Sequence, residues 1–244
     1  MTITNPRIAL LLSIAIFVAC KPAPPQPAAK KPAGPTVRAT VVTIRTTTQP
    51  ENRTQMRTIV IAGDRARDTG EHDAWRLYDT KTKTVTFVDE IAGTVRTEPL
   101  NTILAQRRVI TAAALPPHYP KVRLTRPGTK RSIQGVNAEL LEIESGSYKR
   151  QLWLGEHPAI PAGLFAMMVA SDPPTQPLAP MMRAVDEALI TARGFPHEDH
   201  AEVPVAKDKL VVDRVVVGIA QKDVPQALVT VPTGHRDVTV PPKR

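Results

Sequence analysis

From Thr36 onward the apolar residues recur at every second position in short runs: Arg38–Thr47 (RATVVTIRTT), Gln55–Ala62 (QMRTIVIA), Ala74–Tyr78 (AWRLY) and Lys83–Val88 (KTVTFV). Successive side chains of a strand point to opposite faces, so this period predicts a sheet with one apolar and one wetted face. QPEN, GDRARDTGEHD and DTKT separate the runs. They read as turns, and the whole as an antiparallel meander whose alternate Thr and Arg residues face solvent.

The pattern then changes. Thr97-Glu98-Pro99 reads as a helix start with proline in the first turn. Leu100, Ile103, Leu104 and Ile110 fall on one stripe of that helix, interrupted by Arg107, and the proline-rich 116–120 stops it. Lys121–Thr125 reads as a short strand. Ala138–Glu144, the turn Ser145-Gly146-Ser147 and Tyr148–Leu154 read as a hairpin. Gly163–Ala170 and Ala179–Arg193 read as helices, the second carrying Met181, Val185, Leu189 and Ala192 at helical spacing before Gly194. Leu210–Gln221 is the longest strand-like run, and a tail strand is expected around Ala227–Val231. The expected class is α+β, mainly antiparallel β, with no repeat of 20–50 residues.

The first 35 residues have another texture. Ile8–Ala19 is a twelve-residue apolar run. It is too short for the ~20 residues that cross a bilayer, so it reads as the core of a signal peptide over 1–19. Phe17-Val18-Ala19-Cys20 resembles a bacterial lipobox, which implies acylation of Cys20, the single cysteine of the chain. The other reading is an ordinary signal peptide that leaves Cys20 as a free thiol. Residues 21–35 contain six prolines and three lysines, the composition of an extended tether. With acyl chains at Cys20 the protein is expected to be membrane-anchored in the cell envelope, facing the periplasm. Lys21 after the cysteine favours the outer membrane over the inner.

Three stretches carry a resemblance over residues 37 to 238. Leu77–Val95 is similar to the paired strands of LolA-like half-barrel proteins. Ile133–Pro161 resembles a hairpin of secreted lipoproteins of that superfamily, and Val224–His235 resembles their closing phrase, with Val229 and His235 where aromatics are usual. The resemblance implies one domain over 36–242: a curved half-barrel sheet with helices plugging the concave face. It further implies non-catalytic binding of a lipid or lipidated protein. The residues expected to line such a cavity are Trp75, Tyr78, Phe87, Leu100, Ile103, Leu104, Trp153, Phe165, Met167, Met181 and Val185. The alternative is a structural or partner-binding envelope protein with a self-filled core, in either case a monomer without a cofactor.

Other chemistry finds less support. Met167, Met168, Met181 and Met182 fit core filling, an adaptable lid over an apolar ligand, or Cu(I) ligation; adjacent residues of a helix diverge, which weighs against the last. His197 and His200 have an HxxH spacing, but Gly194 and Pro196 place them in an expected solvated loop. Asp64, Asp68, Glu71 and Asp73 read as a solvated turn rather than a calcium loop. None of the five serines lies in G-x-S-x-G or S-x-x-K, and no P-loop or GxGxxG occurs, so an enzyme is not expected.

The formal charge of +9 first suggests nucleic acid. Six of the 32 basic residues lie in the signal segment, tether and tail, leaving 26 against 23 acidic residues over 36–242, a net of +3. That balance favours attraction to anionic lipid headgroups over a nucleic-acid-binding face.

Overall fold

The computed structural model describes residues 34–69, 73–114, 121–172, 179–205 and 208–239, and their side chains except those of 108–114 and 179–184. The signal segment, Cys20 and nearly all of the tether lie outside the described residues, as do the side chains of Met181 and Met182. Contacts group Pro32–Arg244 as one unit.

Among the described residues that unit is a mostly antiparallel open sheet with three helices. The strands are β1 (Thr36–Gln49), β2 (Arg53–Ala62), β3 (Arg65–Thr69), β4 (Ala74–Asp79), β5 (Thr84–Asp89), β6 (Thr94–Pro99), β7 (Arg123–Thr125), β8 (Lys130–Ile133), β9 (Val136–Ser145), β10 (Tyr148–Gly155), β11 (Phe195–Val205), β12 (Asp208–Pro225) and β13 (Arg236–Asp237). Helix α1 (Leu100–Ala114) follows β6, and α2 (Leu164–Ser171) and α3 (Ala179–Ile190) lie between β10 and β11.

The sheet order is β13-β6-β5-β4-β3-β2-β1-β12-β11-β10-β9-β7, with β8 also on β9. Two meanders are thus joined where β1 pairs β12 from Thr36↔Pro225 to Gln49↔Val211. A bulge falls between Thr43 and Ile44, with Val217 as the extra residue. Only β13 on β6 is parallel.

All three helices pack on one face. Ile103 of α1, Phe165 and Met167 of α2, and Val185 and Leu189 of α3 share a core with Val42, Ile59, Tyr78, Val85, Leu141 and Leu152 of the sheet. Burying each such side chain stabilises the fold by about 1.5–3 kcal/mol. Arg107 explains its own break in the α1 stripe. Its guanidinium donates to the carbonyls of Val169, Ala170 and Asp172 at the end of α2 and to the Asp186 carboxylate of α3. A cation satisfying the last carbonyls of a helix also favours the negative end of its dipole.

The outer face carries two smaller clusters. One is Trp75, Leu77, Val88 and Val95. The other is Ala39, Val60 and Val224, covered by Val229 from the 3₁₀ turn Gln226–Val229.

Four local expectations are corrected. Residues 65–69 form β3 rather than a turn, and 195–205 form β11 rather than a solvated loop. Thr97-Glu98-Pro99 ends β6 instead of starting a helix: Thr97 pairs Thr86, and Pro99 lies opposite Thr84, so α1 begins at Leu100. The tail strand expected at Ala227–Val231 is the 3₁₀ turn, which lets Val229 face the sheet.

Candidate functional site

Strand register brings charged residues into a row on the helix-bearing face. Across one half it aligns Phe87 of β5 with Arg76 of β4, and Arg76 with Asp68 of β3. Across the other it aligns Thr46 of β1 with Arg214 of β12, and Arg214 with Asp199 of β11. Arg57 of β2 closes the row, opposite Ile44 and next to Asp68.

Each charge in this row is paired. Arg57 Nε donates to Asp68 Oδ1 at 2.6 Å, and its terminal nitrogen reaches the other carboxylate oxygen. Arg150 donates through Nε and Nη2 to the two oxygens of Asp199 at 2.7 and 2.8 Å, and Arg214 Nη1 adds a third bond at 2.9 Å. Arg76 pairs with Asp172, just beyond α2.

Asp68 and Asp199 are only 1% and 4% exposed. A charge this buried is tolerated only when paired and hydrogen-bonded. Burial pushes the Asp199 carboxyl up, and Arg150 and Arg214 more than reverse it, so it is held below the usual carboxylate range. Asp186 goes the other way. Burial outweighs Arg107 and Arg150, and its carboxyl is pushed up to about 6. Burial likewise pushes the Tyr78 hydroxyl up to about 12; it lies 3.3 Å from the Ser171 hydroxyl.

Beside the row opens a hollow of about 900 Å³. Arg57, Arg76, Arg96 and Arg214 share its wall with Asp68, Asp89 and Asp172 and with Phe87, Leu210 and Val212, and Thr46, Thr48 and Gln55 complete one side. The Phe87 ring lies between two guanidiniums, 4.7 Å from Arg96 and 6.0 Å from Arg76. A smaller recess of about 230 Å³ continues from it past Arg57, Asp172, Val212 and Arg214 to Tyr148, Arg150 and Asp186. At the opposite end of β10 a hollow of about 760 Å³ is lined by Ile160, Phe165, Ile190, Phe195, His157 and Glu156. Convergent polar groups single out the arginine-lined hollow, together with the recess where the displaced carboxyls of Asp186 and Asp199 lie, as the candidate site.

The residues expected to line a cavity separate into groups. Phe87 lines the large hollow, and Phe165 lines the recess and the distal hollow. Tyr78, Ile103, Met167 and Val185 are buried in the core between sheet and helices, where Leu100 also packs; Leu104 is half-buried on α1. Trp75 sits in the outer cluster, with Arg67 stacked 3.8 Å from its ring, though it also borders the large hollow. Trp153 pairs with Glu198 on the outer face, with Arg131 3.9 Å above its ring. The Met181 side chain lies outside the described residues.

His197 and His200 are not joined. On a strand a spacing of three puts them on opposite faces. His197 is fully buried in the interior, where burial holds its imidazole below the usual range, and His200 pairs outside with Asp213 at 2.6 Å. Among the described residues no group of three or more His, Cys, Asp or Glu is arranged to hold a metal ion, and no helix is long and apolar enough to cross a membrane.

Arg57, Tyr148, Arg150, Asp199 and Arg214 escaped the sequence reading, in which Asp68 belongs to a solvated turn. The signal that could have found them is parity. Arg57 shares its face with Ile59 and Ile61, and Arg150 with Leu152 and Leu154, so each continues an apolar row.

No family model and no curated protein matches the sequence. Among solved structures the chain is similar to PNGF-II in two crystal forms, at 10% identity and TM-scores of 0.45 and 0.42. Those matches cover 84% of this chain and 31% and 32% of PNGF-II, so the chain spans about a third of that protein's length. It is also similar to a LolA superfamily protein from Nitrosomonas europaea, at 12% identity and a TM-score of 0.28, over 82% of this chain and 91% of that one. Identities this low carry no residue's role across.

Proposed function

We propose that this chain is an envelope lipoprotein, anchored through acylated Cys20, that binds an amphiphilic ligand without chemical conversion. In this reading the open sheet curves as a half-barrel, the three helices plug its concave side, and the ligand enters the space they leave. The observation that carries it is the hollow of about 900 Å³, in which Phe87, Leu210 and Val212 lie beside Arg57, Arg76, Arg96 and Arg214. Apolar walls take a chain, and guanidiniums attract a negative group at one end of it.

The full burial of Tyr78 and Val185, and the near-complete burial of Met167 and Ile103, favour a second reading, a structural or partner-binding protein filled by its own side chains. Native mass spectrometry of the full chain carrying Cys20→Ser, taken directly from envelope extract, separates the two. Ligand binding predicts adducts heavier than the polypeptide that lipid analysis identifies. Repeated recovery of the bare polypeptide supports the self-filled reading and overturns ligand binding.

A further inference from the structure

Tyr148, the first residue of β10, is fully buried, yet its hydroxyl proton has no acceptor. Its neighbour Arg150 is a guanidinium, which offers only donors, so the Tyr148 O–H proton has no acceptor there. An unsatisfied buried polar atom costs about 1–3 kcal/mol and calls for a functional account. Tyr148 is among the residues that line the recess of about 230 Å³, which has room for roughly seven waters.

The other groups around the recess are also rich in donors. Asp68 accepts from two nitrogens of Arg57; Asp199 accepts from two of Arg150 and one of Arg214. A guanidinium carries five N–H groups, so each arginine keeps donors beyond those bonds. Three guanidiniums (Arg57, Arg150, Arg214) and three carboxylates (Asp172, Asp186, Asp199) line the recess, and Asp68, Arg76 and Arg107 pair with Arg57, Asp172 and Asp186 from outside it. What the recess lacks is an acceptor for the Tyr148 proton.

We infer that the recess takes the oxyanion head of the amphiphile, such as a carboxylate, with Tyr148 and Arg214 donating to it and the chain lying along Phe87, Val212 and Leu210 in the outer hollow. This rests on the proposed binding function and names the chemistry of its ligand. Tyr148 is then a specificity residue, whose cost to the empty fold is recovered when the oxyanion arrives.

The test is calorimetric titration of the full chain carrying Cys20→Ser with dodecanoate, dodecan-1-ol and acetate, each below its micelle concentration where it forms one. The expected result is that dodecanoate binds at least about tenfold more tightly than dodecanol, the value of one charge-assisted hydrogen bond. Tyr148→Phe should abolish most of that preference and hold or raise the thermal midpoint, since it removes an unpaired polar atom. Equal affinities for dodecanoate and dodecanol overturn the oxyanion recess while leaving amphiphile binding intact. Failure of both to bind overturns the parent reading instead. Acetate binding as tightly as dodecanoate supports an oxyanion site but overturns its assignment to an amphiphile. A Tyr148→Phe variant that stays folded and keeps the full preference removes Tyr148 from the site.

Discussion

Arg150 and Asp199 meet diagonally across the β10–β11 ladder, joined by two hydrogen bonds of 2.7 and 2.8 Å, each residue nearly excluded from solvent. Arg214, directly opposite Asp199 on β12, supplies the third bond. Three neighbouring strands are thereby fixed at one point of the wall. Removing the carboxylate leaves the buried Arg150 charge without its partner, a loss of about 3–5 kcal/mol for a buried pair. Asp199→Ala should lower the stability measured by urea unfolding by that amount. A change below about 1 kcal/mol would mean that solvent reaches the pair freely.

Asp186 sets a pH dependence of the opposite sign to an ordinary ion-paired carboxylate. Its folded carboxyl is raised from 3.8 to about 6, chiefly by burial, so between those values the folded chain holds a proton that the unfolded chain has released. Stability from this group is present below about pH 4 and is lost as pH rises through about 6. Asp186→Asn cannot titrate and should flatten that segment of the stability curve. An unchanged slope between pH 4 and 6 would assign the dependence to another group.

Gly155 closes the distal end of the sheet. A Cβ there would stand 2.5 Å from Val136 Cγ1, 3.2 Å from the Asn137 carbonyl oxygen and 3.3 Å from His197 Cδ2. Gly155→Ala should therefore destabilise by about 1–3 kcal/mol through overpacking. Adding Val136→Ala removes the nearest obstruction, so a double-mutant cycle should recover part of the loss. Strict additivity would locate the strain elsewhere.

Anchoring makes a separate prediction. Cells fed labelled fatty acid should label the wild-type chain and not Cys20→Ser, with the variant recovered in the soluble envelope fraction. Equal labelling of both chains excludes Cys20 as the acylated residue.

The sequence made the long elements readable because their apolar periodicity was uninterrupted. β1, β2, β9, β10 and both methionine-bearing helices lie within a few residues of their expected ranges. The two misread strands, β3 and β11, carry Asp68 and Asp199 where the period-two pattern needs an apolar residue. A buried carboxylate looks like a turn signal until its arginine is known. For Asp199 that arginine is 49 residues away, and no local rule connects them. The same holds for the aromatics: Trp75 and Tyr78 differ in parity, so one ring packs outside while the other enters the core. Arg107 seemed a flaw in an apolar stripe and is the clamp that holds α1 to α2 and α3.

The central claim is that the arginine-lined hollow receives the ligand. The most direct measurement is an NMR titration of the isotopically labelled Cys20→Ser chain with dodecanoate, following backbone amides. Saturable shifts are expected at Phe87, Arg96, Val212 and Arg214 around the hollow and at Tyr148 in the recess. Shifts confined to Ile160, Ile190 and Phe195 around the distal hollow, or to the outer face around Trp153, would contradict that claim.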